Sequence, residues 1–220
     1  MASVIENVVF DLDGTLVDSA PGIERCLRHA VAEVAPDDPG AAVPCALIGP
    51  PVRVMVASML PGADDALVDA AVLAFRRCYD AGGWRETVPY DGAGELLATL
   101  HGAGRRIYVV TNKPSVPTGQ ILAELGWSGL IGAVVCRDSV TPWFPDKSAA
   151  LRHLIETQSL EQSRTIFVGD TADDAVAAQA NELAFVFASY GYGAPGAGER
   201  AWATISQPRA LLPVVGAPLG

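Results

Sequence analysis

Apolar and polar positions give the chain two different textures. From residue 88 onward, short apolar runs alternate with segments whose apolar residues recur at helical spacing. Residues 17–87 show the helical spacing alone. A separate apolar run, which includes Val8, Val9 and Phe10, precedes them. The pattern therefore predicts an α/β domain that is interrupted after its first strand by an all-helical insertion.

The predicted elements follow from the length and spacing of these runs. The residues of the first run are β-branched or aromatic, which favours a strand buried on both faces of a parallel sheet. Later strands are predicted at 106–111, 131–136, 164–168, 183–188 and 203–205. Helices are predicted at 20–34, 63–79, 92–104, 116–125, 147–157 and 173–180, and another begins after the Gly-Pro-Pro turn at 49–51. We assign 1–16 and 88–220 to an α/β core and 17–87 to a helical cap, a candidate lid.

Two aspartates follow the first strand directly. Ligands of open α/β sheets bind just past the carboxyl ends of the strands, where Asp11 and Asp13 are expected. Two carboxylates at one point repel each other unless a cation or a shared proton neutralises them. Mg²⁺ prefers oxygen ligands, often one or two carboxylates and a substrate phosphate. The alternative is that Asp13-Gly14 is only a turn.

Other predicted strand ends carry polar residues that complement this pair. Thr111 and Asn112 end one strand, and Asp170 ends another. Lys147 starts a helix, and Asp174 lies one turn past Asp170. Because the carboxyl ends of parallel strands share one edge of the sheet, these groups are expected to converge. Together they supply a possible nucleophile, a possible acid/base, hydroxyl and amide hydrogen-bond donors, an ammonium and a metal-binding acid. This set of groups fits phosphoryl transfer.

Charge narrows the classes of partner. The formal net charge is −10, with 25 acidic and 15 basic residues, which argues against a nucleic-acid or anionic-membrane surface. The most apolar stretch, 41–60, is interrupted by prolines and an arginine, so no membrane span is expected. Only two lysines exist, Lys113 and Lys147, so their positions are informative.

Cysteine usage predicts a cytoplasmic protein. The four cysteines, Cys26, Cys45, Cys78 and Cys136, are scattered without a Cys-x-x-Cys or Cys/His spacing. We therefore expect reduced and mostly buried thiols, as in cytosolic proteins. No secretory leader pattern precedes the first strand.

Four motifs resemble those of the haloacid dehalogenase superfamily, in its phosphoglycolate-phosphatase-like group with a helical cap. DLDGTLVDS at 11–19 resembles the first motif, TNKP at 111–114 the second and GDTADD at 169–174 the fourth. The third motif is a lysine, for which Lys147 is left once Lys113 belongs to the second. Its surroundings, FPDKSAAL, depart from the Lys-Pro-Asp-Pro often found there. The resemblance implies a doubly wound, Rossmann-like parallel sheet of strand order 5-4-1-2-3.

The resemblance also implies roles for individual residues. Asp11 would attack phosphorus and form an aspartyl phosphate, and Asp13 would act as general acid and then as general base. Thr111 and the Asn112 main chain would hold phosphate oxygens, and Lys147 would bridge the phosphate and Asp11.

A magnesium site is implied in the same way. Mg²⁺ would be bound by the Asp11 carboxylate, the Asp13 main-chain carbonyl and Asp170, with Asp174 orienting metal-bound water or acting as a ligand. Asp173 is expected at a helix N-terminus, where its charge favours the helix dipole.

Two basic residues are candidates for substrate binding. Lys113 is expected at the rim of the crevice, where it would contact phosphate, and a solvated lysine is the alternative. Arg53 in the cap would meet the non-phosphate end of the substrate, and a plain surface arginine is the alternative.

The predicted activity is Mg²⁺-dependent hydrolysis of a small phosphomonoester, with a phosphorylated metabolite as the partner. Asp13 argues against a dehalogenase, and residues 17–87 hold no lysine for the Schiff base of a phosphonoacetaldehyde hydrolase. Sugar phosphomutase, nucleotidase and pyrophosphatase remain as alternatives. A phosphoacceptor signalling module is the alternative of another class, although such modules are about half this length. The sequence does not specify the substrate or the oligomeric state.

Overall fold

The chain divides into two compact units. The α/β unit comprises Met1–Asp18 and Pro89–Gly220, and the helical unit comprises Ser19–Val88. A computed structural model describes residues 5–36, 48–194, 196 and 201–216. The predicted insertion, 17–87, spans nearly the same residues as the helical unit, and its action as a lid stays a prediction.

Strands and helices alternate through the α/β unit, and helices make up most of the helical unit. The strands are β1 Asn7–Phe10, β2 Val17–Asp18, β3 Val88–Pro89, β4 Arg106–Thr111, β5 Ala133–Cys136, β6 Thr165–Gly169, β7 Ala184–Ala188 and β8 Ala203–Ile205. The α-helices are α1 Ala20–Val34, α2 Val52–Met59, α3 Asp65–Ala81, α4 Ala93–Gly102, α5 Ser115–Glu124, α6 Lys147–Gln158, α7 Ala172–Ala180 and α8 Leu211–Val214. Short 3-10 helices lie at Gly83–Glu86, Gln162–Arg164 and Pro208–Ala210.

Six strands form one parallel sheet in the order β5-β4-β1-β6-β7-β8. β1 is an inner strand that pairs with β4 on one side and with β6 on the other. Phe10, at the end of β1, lies opposite Val109 and Val168, so the carboxyl ends of the three strands lie side by side. The predicted α/β class and strand order are confirmed, with β8 added beyond β7.

Burial explains why the first strand is a continuous apolar run. Val8, Val9 and Phe10 are at most 1% exposed, as expected of a strand with both faces covered. Asn7 is the polar exception, and its side-chain amide donates to Thr165 Oγ1 at 2.9 Å. The side chains around β1 therefore fix its register, and with it the position of the residues that follow.

A second, two-stranded sheet of β2 and β3 was not predicted. Each strand is two residues long, which is too short to show an alternation of apolar and polar positions. The short helix α8 and the 3-10 helices were not predicted either. Most predicted elements differ from the observed ones by one or two residues at their ends, where hydrogen bonding rather than hydrophobic spacing decides the boundary.

The helical unit is built on the apolar stripes of its helices. In α1, the residues Ile23, Leu27 and Val31 are buried at helical spacing. The Asp64 side chain caps α3 by accepting from the Leu67 main-chain NH at 2.9 Å. The pattern alone thus accounts for the helices of this unit.

A disulfide joins α1 to α3 inside the helical unit. Cys26 and Cys78 are bonded, with their Cα atoms 5.5 Å apart and a sequence separation of 52. The prediction of reduced thiols is wrong for this pair, because no sequence spacing reports that two facing helices bring the sulfurs together. Cys136 is a buried free thiol, and Cys45 lies outside the described residues.

Candidate active site

The predicted nucleophile lies where the central strand ends. Asp11 follows β1 directly, and its main-chain NH donates to the Val168 carbonyl of β6 at 2.9 Å. The Asp11 side chain is almost fully buried. Gly14 then turns the chain with a φ of +86°, a conformation that favours glycine. The sheet itself thus holds the predicted nucleophile in place.

Three carboxylates converge at this point. Asp11, Asp170 and Asp174 are all buried, and each offers an oxygen within 4.8 Å of the other two. Burial raises the pKa of Asp11 well above its usual range, Lys147 opposes this, and the neighbouring acids add to it. Burial, and then the charge of Asp174, raises the pKa of Asp170 to about 6. The cluster thus carries more negative charge than its surroundings compensate.

Lys147 is the cation inside the cluster. It is the first residue of α6, which Asp146 caps by accepting from the Ala149 NH at 2.8 Å. Its Nζ lies 3.0 Å from Asp11 Oδ1 and 2.6 Å from Asp174 Oδ1. Burial alone would lower the pKa of Lys147, but the two carboxylates outweigh burial and hold the pKa above its usual value. Lys147 is therefore held as an ammonium between the predicted nucleophile and a predicted metal ligand.

Asp170 is oriented from two sides. Thr15 Oγ1 donates to Asp170 Oδ1 at 3.2 Å, and the Tyr192 main-chain NH donates to Asp170 Oδ2 at 2.8 Å. A side chain at Gly14 or at Gly191 would collide with the Asp170 carboxylate. The chain thus approaches Asp170 closely from both directions and fixes its carboxylate.

Asp174 is held by the start of its own helix. Its Oδ2 accepts from the main-chain NH of Thr171 at 3.0 Å and from Thr171 Oγ1 at 2.6 Å. These bonds cap α7 and leave the other oxygen to Lys147. Asp173, by contrast, is exposed on the first turn of α7.

The donor set fits a divalent cation. Asp11 Oδ1 is buried and accepts no well-aligned hydrogen bond from the described residues, although Lys147 Nζ lies 3.0 Å away. Three clustered carboxylates with one ammonium leave excess negative charge, which a hard divalent cation would neutralise. The candidate ligands found among the described residues are carboxylate oxygens, which such ions prefer.

The predicted acid/base has a cationic partner of its own. Lys113 Nζ lies 2.9 Å from both carboxylate oxygens of Asp13, and the Lys113 side chain is 5% exposed. The main-chain NH of Lys113 donates to Thr111 Oγ1 at 3.2 Å. Thr111 is buried at the end of β4, and Asn112 beside it is half-buried. The predicted second motif thus lies against the first.

Arg53 belongs to the helical unit. Its guanidinium lies 2.6 Å from the Asp65 carboxylate and also pairs with Asp69, both on α3. All three side chains are largely exposed. These contacts favour the surface-arginine alternative, and a contact between Arg53 and substrate stays a prediction.

Sequence reasoning missed the tyrosines after β7. Tyr190 Oη donates to the Thr15 carbonyl at 2.8 Å, and Tyr192 Oη donates to Asp18 Oδ1 at 2.7 Å. The only signal was the run Tyr-Gly-Tyr-Gly at 190–193, directly after a predicted strand end. Asp170 also accepts from the main-chain NH of Tyr192, and the sequence does not predict this bond because nearly every residue type has such an NH.

Comparison with known proteins identifies the family. The family described as haloacid dehalogenase-like hydrolase matches residues 8–188. A 5'-nucleotidase of Pseudomonas aeruginosa is 32% identical over 85% of this chain and 84% of its own length. A phosphoglycolate phosphatase of Rhodospirillum rubrum is 34% identical over 84% of this chain and 80% of its own.

A solved structure agrees with the observed fold. The structure of Protein Tyrosine Kinase A (PtkA) of Mycobacterium tuberculosis is 29% identical, covers 97% of this chain and 99% of its own, and superposes with a TM-score of 0.82. The match of residues 8–188 runs from the first strand to the last residue of β7 and includes all four motifs. The chain belongs to the haloacid dehalogenase-like hydrolases, and it is an enzyme of their phosphatase type.

Proposed function

We propose that the protein is a Mg²⁺-dependent phosphatase that hydrolyses a small phosphomonoester through an aspartyl phosphate on Asp11. The observation that carries the proposal is the Asp11 carboxylate, buried at the end of the central strand, with one oxygen that receives no aligned hydrogen bond from the described part of the chain. Lys147 and two further carboxylates surround it. This arrangement suits a nucleophile that meets a phosphate beside a cation.

The first half-reaction forms the covalent intermediate. A carboxylate oxygen of Asp11 attacks phosphorus, and the bond from phosphorus to the ester oxygen breaks. Asp13 donates a proton to that oxygen, so the product leaves as an alcohol. The phosphoryl group is then bound to Asp11 as an acyl phosphate.

The second half-reaction restores the enzyme. Asp13, now a carboxylate, takes a proton from a water molecule that attacks the acyl phosphate. Phosphate leaves, and the Asp11 carboxylate is regenerated. Thr111, the Asn112 main chain and Lys147 hold phosphate oxygens during both steps, because phosphoryl transfer depends chiefly on positioning and charge neutralisation.

Mg²⁺ would be held by the Asp11 and Asp170 carboxylates and the Asp13 carbonyl, with Asp174 beside them. When bound, the ion supplies positive charge to the phosphate and to the attacking carboxylate. Asp170 meets the ion already oriented by Thr15 and the Tyr192 NH. The pre-arranged carboxylate reduces the ordering that binding would otherwise require.

The substrate class rests on the relatives. A phosphoglycolate phosphatase and a 5'-nucleotidase are both about one third identical to this chain, which supports a phosphorylated organic acid or a nucleoside monophosphate. Sugar phosphates, pyrophosphate and phosphomutase activity complete the panel of alternatives. Ranking these compounds by kcat/KM gives the preference directly, since that ratio measures discrimination.

The decisive test is phosphate release from para-nitrophenyl phosphate. We expect steady turnover with Mg²⁺ and none in excess chelator. Asp11→Asn should lose roughly a thousandfold or more of kcat, because it removes the nucleophile. Asp173→Asn is the matched control, since Asp173 is an exposed acid close in sequence to the metal ligands, and it should retain activity.

Two outcomes would refute the proposal. One is undiminished activity in chelator or in Asp11→Asn. The other is phosphorylation that stops at one equivalent per chain, which is the behaviour of a phosphoacceptor signalling module.

Location stays a prediction. Among residues 5–36, 48–194, 196 and 201–216, none of the helices combines the length and the hydrophobicity that a membrane span needs. A cytoplasmic enzyme was expected partly because all four thiols were expected to be reduced, and the Cys26–Cys78 bond removes that part of the support. The acidic net charge of −10 still favours a small metabolite over a nucleic acid.

A further inference from the structure

Lys113 has no role in the two half-reactions above, although it is one of only two lysines in the chain. The sequence predicted it at the crevice rim, in contact with substrate phosphate. In the structure its side chain is 5% exposed, and its Nζ lies 2.9 Å from each oxygen of the Asp13 carboxylate. A cation centred on both oxygens fixes the direction in which a carboxylate points.

We infer that Lys113 is a positioning residue for Asp13, acting in the hydrolysis of the aspartyl phosphate rather than in the capture of substrate. The inference rests on the proposed function and adds a division of labour between the two lysines. Lys147 pairs with Asp11, the group that is phosphorylated, and Lys113 pairs with Asp13, the group that moves protons.

The path of the chain links Lys113 to the phosphate site. Its main-chain NH donates to Thr111 Oγ1 at 3.2 Å, so the residue is anchored at the carboxyl end of β4. β4 pairs with β1, whose end leads to Asp11 and Asp13. The two strands therefore set the separation between the Lys113 ammonium and the Asp13 carboxylate. Burial of the Lys113 side chain limits its motion, so the separation is kept.

The leaving group decides which half-reaction depends on Lys113. With both of its oxygens on the Lys113 ammonium, the Asp13 carboxyl group is held in one direction, as a base must be to take a proton from an attacking water. General-base action belongs to the second half-reaction, in which the acyl phosphate of Asp11 is hydrolysed. Protonation of a good leaving group such as para-nitrophenolate contributes little to the first. Loss of Lys113 should therefore slow the second step and leave the first nearly intact.

The test follows both steps with para-nitrophenyl phosphate. In Lys113→Met we expect a burst of para-nitrophenol close to one equivalent, followed by slow turnover, with acid-quenched phosphoenzyme accumulating on the chain. The steady-state kcat should fall roughly tenfold or more, as part of the ~10² to 10⁴ that an acid/base contributes. Asp13→Asn should give the same burst, and the double variant should be no slower than Asp13→Asn alone.

Two further variants separate positioning from folding. Lys113→Arg keeps the charge and can still reach both oxygens, so it should recover much of the steady-state rate and abolish the burst. Ser115→Ala is the matched control from the same segment, because Ser115 is exposed and bonds to Asp138 instead. It should behave as wild type.

The results that would overturn the inference differ from those that would overturn the proposed function. A raised KM with unchanged kcat and no phosphoenzyme in Lys113→Met would assign Lys113 to substrate phosphate. A burst in Asp13→Asn without one in Lys113→Met would show that Lys113 does not act through Asp13. If instead Asp11→Asn retains activity, or neither wild type nor Asp13→Asn carries phosphate on quenching, the proposed mechanism itself is wrong.

Discussion

The two units use charged side chains in opposite ways. In the α/β unit the charged groups at the strand ends are buried, and Asp170 and Asp174 have no exposed surface. In the helical unit the ion pairs lie in solvent, such as Arg25 with Glu86 at 2.6 Å and Arg77 with Glu33 at 2.5 Å. Buried charges cost several kcal/mol each to desolvate, whereas exposed pairs contribute about 0 to 1 kcal/mol.

This difference indicates different roles for the buried and the exposed charged groups. A fold gains little by burying three carboxylates around one lysine, and a packed hydrophobic cluster of the same volume is often at least as stable. Such a cluster points to a function that needs unscreened charge. The exposed pairs of the helical unit need no such explanation, because either partner is solvated when the other is absent.

The largest effect is expected from Lys147→Met. It removes the cation that lies 3.0 Å from Asp11 and 2.6 Å from Asp174, and it leaves both carboxylates buried without that ammonium. We expect a loss of roughly 3 to 5 kcal/mol in the free energy of unfolding without metal, and near-complete loss of activity. Thermal unfolding in chelator measures the change in stability. An unchanged midpoint would show that the buried cluster contributes as little to stability as the exposed ion pairs.

The pH dependence of stability tests the same cluster through Asp170. Because burial raises its pKa to about 6 from the usual 3.8, the folded state between these pH values holds a proton that the unfolded state has lost. The stability that this proton contributes should be fully present below about pH 4, and it should fall by about 3 kcal/mol as the pH rises through 6. Denaturant unfolding of metal-free protein at several pH values measures this fall.

Asp170→Asn is the reference for that experiment, since it cannot titrate and should lack this part of the slope. Mg²⁺ should reverse the fall in the wild type, because it binds the carboxylate form. A slope that is the same in both proteins would show that Asp170 is not the titrating group.

The helical unit depends instead on its covalent link. Reduction of the Cys26–Cys78 bond should lower the free energy of unfolding by roughly 2 to 4 kcal/mol, since it closes a long loop. Melting with and without dithiothreitol measures the change. Cys78→Ser should have the melting temperature of the reduced protein in both conditions. If dithiothreitol does not change the melting temperature of the wild type, the disulfide does not stabilise the unit and its apolar packing is sufficient.

The smallest effect is expected from Arg53→Ala. Both partners, Asp65 and Asp69, are largely exposed, so the free energy of unfolding should change by less than about 1 kcal/mol. If Arg53 also meets the substrate, the variant should reorder the kcat/KM ranking of phosphomonoesters while para-nitrophenyl phosphate is little affected. Equal losses on every substrate would count against that contact.

The α/β unit and its acidic residues could be predicted because both appear as patterns along the sequence. β4 and β8 have the predicted bounds, and β1 is apolar because both of its faces are covered. Asp11, Asp170 and Lys147 meet because parallel strands share an edge, which a reader can deduce from strand order.

What the sequence could not predict depends on distance in space. The Cys26–Cys78 bond requires two helices to pack at one particular point, and no spacing reports it. The NH of Tyr192 holds Asp170 through the main chain, which carries no residue signature. To predict that Lys113 pairs with Asp13, one would have to know the directions of the two side chains at neighbouring strand ends.

The position of β1 has a consequence for synthesis of the chain on the ribosome. Its neighbours in the sheet, β4 and β6, begin at Arg106 and Thr165. The strand that precedes Asp11 therefore has both edges paired only after most of the polypeptide has been made. Ser19–Val88 is continuous in sequence and can fold while the rest is still being made. Truncated chains that end before β6 should therefore contain a folded helical unit and no assembled phosphate site.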